Sequence, residues 1–154
     1  MQATAQLPTF ERLRPRLLDR LLELRGSLDQ DLARCNETSA RSYLAAVVGH
    51  LGSFVAAGDA DLHRGFILSS LAQRTRDAGG PAAVVSTLVA IGDIAARVAI
   101  EQLGDDGLEL AVTIARRSAV TARIGSELLA AEVSHRQAER DRALTGDIAR
   151  ATSA

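Results

Sequence analysis

Lysine is absent from this chain: all 18 of its basic residues are arginine. That excludes Schiff-base catalysis by lysine and the lysine of a phosphate-binding loop. Tryptophan is absent too, and the aromatic side chains are Phe10, Tyr43, Phe54 and Phe66. A core must therefore come from Leu, Val, Ile and Ala, which suits closely packed helices. The single cysteine, Cys35, permits no internal disulfide and fits a reducing, cytoplasmic setting. Charge of one sign is also missing: 18 basic against 19 acidic residues leave a net charge of −1. No domain-wide basic field is present to hold nucleic acid. The opening MQATAQLPTFERLRPR lacks the apolar run of a signal peptide. The most apolar window, PAAVVSTLVAIGDIAARVAIEQL, is interrupted by Asp93 and Arg97, so no membrane span is expected.

What is present is helical periodicity. At 154 residues the chain suits one domain with a core of its own. Residues 1–9 read as a flexible lead, 10–135 as an all-helical domain, and 136–154 as a polar helical extension. Thr9 is the expected N-cap of a first helix carrying Leu13, Leu17, Leu18, Leu21, Leu22 and Leu24, with Gly26 where it would end or kink. SLDQDLAR either continues that helix or forms a short one. Asn36 caps the next, in which Glu37 and Arg41 are spaced for a surface pair. Its stripe of Leu44, Val47, Val48, Leu51, Phe54 and Val55 stops at Gly58-Asp59. A third helix is predicted from Asp59 to about Asp77.

From Pro81 to Leu103 apolar residues cover almost the whole circumference, leaving a strip of Ser86, Asp93, Arg97 and Glu101. Such a helix must be packed on several sides, within the domain or against a second subunit. GDDG opens the last long segment, where Leu110, Ile114, Thr121, Ile124, Leu128 and Ala131 share a face with Arg117 intruding. After Val133 the pattern gives way to SHRQAERDRALTGD. The expected fold is all-α, globin-like or an antiparallel bundle of about five or six helices with a long C-terminal helix.

Candidate chemistry centres on His50, beside the apolar stripe of its helix. It reads as a haem ligand, as the acceptor of a histidine phosphotransfer domain, or as a hydrogen-bonded histidine at the core boundary. The phosphotransfer reading lacks the lysine expected after the histidine, and four aromatics are thin provision for a porphyrin. His63 and His135 form no Glu-x-x-His or His-x-x-x-His spacing, so no metal is expected. Cys35 precedes a helix start that could lower its pKa. Asp93 and Arg97 read as an ion pair on the exposed strip or as a register-fixing pair at an interface. No Gly-x-Ser-x-Gly, Gly-rich phosphate loop or Cys-x-x-Cys occurs, so neither an enzyme nor a cofactor is expected. The expected interface comprises Asp93, Arg97, Leu110, Ile114, Arg117, Ile124 and Leu128.

The order of features, from the leucine-rich first helix through ETSARSYLAAVVGHLGSFVAAGD and LAQRTRDAGGP to an apolar helix and a long final one, resembles the N-terminal sensory domain of RsbR-type stressosome proteins. The matching elements are Glu37 with Arg41, Phe54 to Asp59, and Arg74 to Gly79, over roughly residues 10–135. The resemblance implies a globin-like fold without haem, a homodimer, and final helices leading toward a STAS domain. It also implies a non-enzymatic role in bacterial stress signalling with a STAS-domain or kinase partner. It supplies no catalytic residue.

Overall fold

The computed structural model describes residues 3–73 and 80–153, and all regular structure within them is α-helical. Five helices follow in order: α1 (Ala3–Leu28), α2 (Gln30–Arg34), α3 (Glu37–Ala57), α4 (Ala60–Ala72) and α5 (Pro81–Thr152). The run from Arg74 to Gly79, and the helix end expected near Asp77, lie outside the described residues.

The first helix begins earlier than its sequence suggests. It is helical from Ala3, so Thr9 lies inside it rather than capping it, and Pro8 and Pro15 are accommodated within. Both prolines face solvent, where water can satisfy the carbonyls they leave unpaired. The opposite face buries Phe10, Leu13, Leu17 and Leu21 completely. Burial at about 2 kcal/mol per side chain outweighs the roughly 3 kcal/mol cost of an interior proline. Gly26 does not end the helix either, which continues to Leu28.

Local capping sets the next boundaries. Asp29 caps α2 by accepting from the Asp31 amide at 2.8 Å, and Asn36 caps α3 by accepting from Ser39 at 2.8 Å. Glu37 and Arg41 form the expected exposed pair at 3.7 Å. Gly58 ends α3 with φ 68°, its amide donating to the Phe54 carbonyl, and Asp59 caps α4 through the amides of Asp61 and Leu62.

The fifth helix is a hairpin rather than a rod. Gly104 sits at φ 59° and ψ −127°, a conformation that side chains disfavour. Val85 lies against Gly125, Gly92 against Ser118 and Ile114, and Ala99 against Gly107. These contacts advance in opposite directions from residue 104, so limbs 81–103 and 105–152 run antiparallel. At Gly107 a Cβ would collide with the Ala99 carbonyl oxygen, so the limbs close only around a hydrogen at that position.

Bundle and hairpin share one core. The first limb buries Val84, Thr87, Ile91, Ala95, Val98 and Ala99. Ile91, Ala95 and Val98 join the leucines of α1 and Leu44, Val47, Val48 and Val55 of α3. Ser86, Asp93, Arg97 and Glu101 form the expected exposed strip. The limb is not sheathed all round, because Ile100 remains 49% exposed. An 18-residue window of α5 has mean hydropathy 1.8, meeting the length and composition of a membrane span, and 39% of that window is buried.

The second limb outruns the first. With Val85 opposite Gly125, the first limb starts near residue 129, and the remaining helix to Thr152 continues about 33 Å past the bundle. Most of its side chains are exposed, in keeping with its polar sequence. Pairs four or three residues apart support it: Arg136 with Glu132, His135 with Glu139, Gln137 with Asp141, and Arg150 with Asp147.

Gly104→Ala should lower stability by about 1 kcal/mol, and Gly107→Ala by about 2–3 kcal/mol because the limbs must part. Thermal unfolding followed by circular dichroism measures both, and equal stability of all three proteins would contradict the hairpin.

Candidate functional site

Helices α3 and α4 face each other across Gly58, and each contributes one histidine and one phenylalanine to a layered cluster. His50 of α3 stacks on Phe66 of α4 at 3.9 Å between centroids. His63 of α4 stacks on Phe54 of α3, also at 3.9 Å. Each imidazole thus lies on the phenylalanine of the opposite helix. The two imidazoles are nearly coplanar, 7° apart, and hydrogen-bonded from His50 Nε2 to His63 Nδ1 at 2.8 Å.

The second limb of α5 completes the cluster and sets its direction. Thr121 Oγ1 donates its proton to the Arg117 carbonyl at 3.2 Å, and His63 Nε2 lies 2.7 Å from that hydroxyl. With the Thr121 proton assigned to the Arg117 carbonyl, His63 Nε2–H is the donor. His63 Nδ1 is then the acceptor, and His50 Nε2–H donates to it. The chain is one-directional: His50 to His63 to Thr121 to the Arg117 carbonyl. It joins three separate helical segments with no break.

Arg117 closes the site from above. Its guanidinium carbon stands 5.7 Å from the centroid of Phe54, and its Nη2 donates to the Val55 carbonyl at 3.3 Å. A cation at the C-terminus of α3 meets the negative end of the helix dipole. Gly58 supplies the positive φ, and a Cβ there would lie 2.7 Å from the guanidinium, which would have to shift. Arg117 Nε is buried without a hydrogen-bond partner.

Electrostatics follow from this enclosure. His63 is 3% exposed. Desolvation, with a smaller contribution from neighbouring His50, lowers its pKa to about 4. Burial also lowers the pKa of His50. Both imidazoles are therefore neutral near pH 7, and the neutral form leaves His63 Nδ1 free to accept from His50. A cavity of about 10 Å³ remains among Val47, His50, Leu51, His63, Leu88, Ile91, Arg117, Ser118 and Thr121, no more than one water-sized sphere.

The arrangement bears directly on His50. It is the half-buried, hydrogen-bonded histidine of the third sequence reading. Haem ligation through Nε2 would have to break the bond to His63, and a porphyrin would have to displace Phe66. Phosphorylation at Nε2 would break the same bond. Among the described residues no group of three or more His, Cys, Asp and Glu side chains converges. His135 is exposed on the extension beside Glu139, and Cys35 is exposed.

The expected interface is redistributed. Leu110, Ile114 and Ile124 are at most 1% exposed inside the chain's own core, so they have no surface to offer a partner. Leu128 packs partly buried beside Ile67 and Val84, and Arg117 caps α3. The sequence placed these residues on one face correctly, but the first limb and α4 already cover that face. Asp93 and Arg97 are exposed and form no ion pair with each other. His63 and Thr121 are the site residues whose role sequence reading missed. The available signal was a polar Thr121 in an apolar face and a His–Phe pair at one-turn spacing on each of two consecutive helices.

Comparison with protein-family models, with curated proteins and with solved structures finds no match.

Because the unfolded His63 titrates near 6.5 and the folded one near 4, the unfolded state binds more protons between those values. The stability that neutral His63 confers is complete above pH 6.5 and is lost as pH falls to 4, by about 3 kcal/mol. Chemical unfolding at pH 7.5 and pH 4.5 should show this loss, much reduced in His63→Gln. An equal pH slope in both proteins would contradict the assignment.

Proposed function

We propose that this chain is a non-enzymatic regulatory module in which the packing of α3 and α4 is transmitted to the second limb of α5. The observation that carries the reading is the His50–His63–Thr121 chain, which ends on the same helical limb that runs past the bundle to Thr152. A ligand or partner that favours one arrangement of α3 and α4 acts on Thr121 and Arg117. The limb carries that bias outward as a change in population. The finer assignment is a cytoplasmic sensor of bacterial stress signalling, of the globin-like, haem-free stressosome type, reporting to a STAS-domain protein or a kinase. It draws support from the helix order and from the motif of residues 37–59.

Two features favour signalling over catalysis. The histidines are occupied with each other and with Thr121, and the space between them holds no substrate. The projecting helix offers more than twenty residues of accessible surface at the far end of the same rigid element.

Thr121→Val removes the acceptor for His63 Nε2–H and should cost about 1–3 kcal/mol. Hydrogen–deuterium exchange should rise in α3, α4 and the second limb together. A purified STAS-domain protein or kinase of the stress pathway should bind wild type and variant with affinities differing about five-fold or more. Exchange changes confined to the turn around residue 121, together with equal affinities or no binding by either form, would contradict the proposal.

A further inference from the structure

A separate cavity lies away from the histidines, in the groove between α1 and the first limb of α5. The two helices run antiparallel there. Thr87 meets the Leu28 carbonyl and Asp29 at one end, and Arg12 approaches Asp106 just beyond the reversal at the other. Between these ends, Arg16 and Arg20 of α1 and Glu101 and Gln102 of the limb line a cavity of about 290 Å³. Val98, only 6% exposed, forms its apolar floor. That volume is at the lower end of the range for small-molecule sites.

Some of the charge in this groove is already spent. Arg20 pairs with Glu23 at 3.3 Å, and Asp19 pairs with Arg41 at 3.8 Å. Arg16, Glu101 and Gln102 are exposed and make no ion pair or side-chain hydrogen bond among the described residues. One wall thus offers an unspent cation, and the other an unspent anion with an amide beside it. A metal ion in the groove would be repelled by Arg16 and Arg20, and an inorganic anion by Glu101 and Glu23. A small zwitterion satisfies both walls.

An α-amino acid carries its two charges on one carbon, next to a side chain of its own. Its carboxylate suits the guanidinium fork of Arg16, which can hold both oxygens. Its ammonium suits Glu101, with the Gln102 amide oxygen as a second acceptor. An apolar side chain meets Val98 and the methylene stems of the two arginines. Exposed charge pairs are individually weak, which sets the affinity at about a millimolar.

We propose that this groove binds a small α-amino acid with an apolar side chain, its carboxylate on Arg16 and its ammonium on Glu101. The proposal goes beyond the regulatory reading above and uses none of its residues. A ligand that touches both helices stabilises their association, so it acts on the packing of α1 against the hairpin.

The test uses the full chain, with leucine as the probe. Titration of nitrogen-labelled protein to about 10 mM leucine should give saturable amide shifts centred on residues 16–23 and 98–102. Isopentylamine, which lacks the carboxylate, and isocaproate, which lacks the ammonium, should each bind about five-fold or more weakly. Arg16→Gln and Glu101→Gln alter exposed side chains, so circular dichroism should be unchanged while leucine affinity falls by a similar factor. Arg16→Gln should bind isopentylamine no worse than wild type does, and Glu101→Gln should bind isocaproate no worse, a pattern that a general structural change would not produce. No saturable shift, shifts centred elsewhere, equal binding of either one-charge analogue, or undiminished leucine affinity in either variant would each overturn the proposal. All of these outcomes leave the Thr121→Val experiment standing, so the two readings fail separately.

Discussion

The reversal at Gly104 is the constraint on which the rest of this structure depends. A continuous helix through that residue would carry the apolar limb away from the second limb and leave both without cover. Turning there puts Ile91 and Val98 against the leucines of α1 and the valines of α3, and Val84 against Ile124 and Ile67. It also brings Thr121 back to α4, within reach of His63. Two glycines make the turn possible for different reasons, Gly104 by its backbone conformation and Gly107 by the closeness of the Ala99 carbonyl.

The histidine cluster is the polar counterpart of that core. A buried imidazole that lacks partners is costly, and His63 avoids the cost by having a partner on each nitrogen. Those partners lie on different segments, so the cluster is satisfied only when α3, α4 and the second limb are all in place. Arg117 adds a further link by capping α3 from the hairpin. Such an arrangement ties the helices into one unit at a single point, where a small displacement is felt in all of them.

Much of the fold was legible in local sequence. Asn36 and Gly58 announced the two ends of α3 and Asp59 the start of α4, GDDG marked where the last long segment opens, and the polar strip of Ser86, Asp93, Arg97 and Glu101 emerged on the exposed side. Local rules failed where tertiary burial overrode them. Thr9 was the expected N-cap of α1, yet the buried face of Phe10, Leu13, Leu17 and Leu21 holds one helix through Pro8 and Pro15. The apolar face of the second limb was identified, but periodicity does not say whether a helix of the same chain or of another covers it. The pairing of His50 with His63 escaped for a similar reason. It depends on the turn at Gly58 and on how two helices cross, neither of which is written in the spacing of thirteen residues.

The hairpin is open to a direct measurement in solution. Nuclear Overhauser contacts in the methyl-labelled protein should connect Val85 methyls to the Gly125 α-protons, and the Ile114 methyls to Gly92. Their presence would establish that the limbs lie antiparallel from residue 104. Sequential helical contacts running unbroken through Gly104, with no cross-peaks between the limbs, would contradict the account at its foundation.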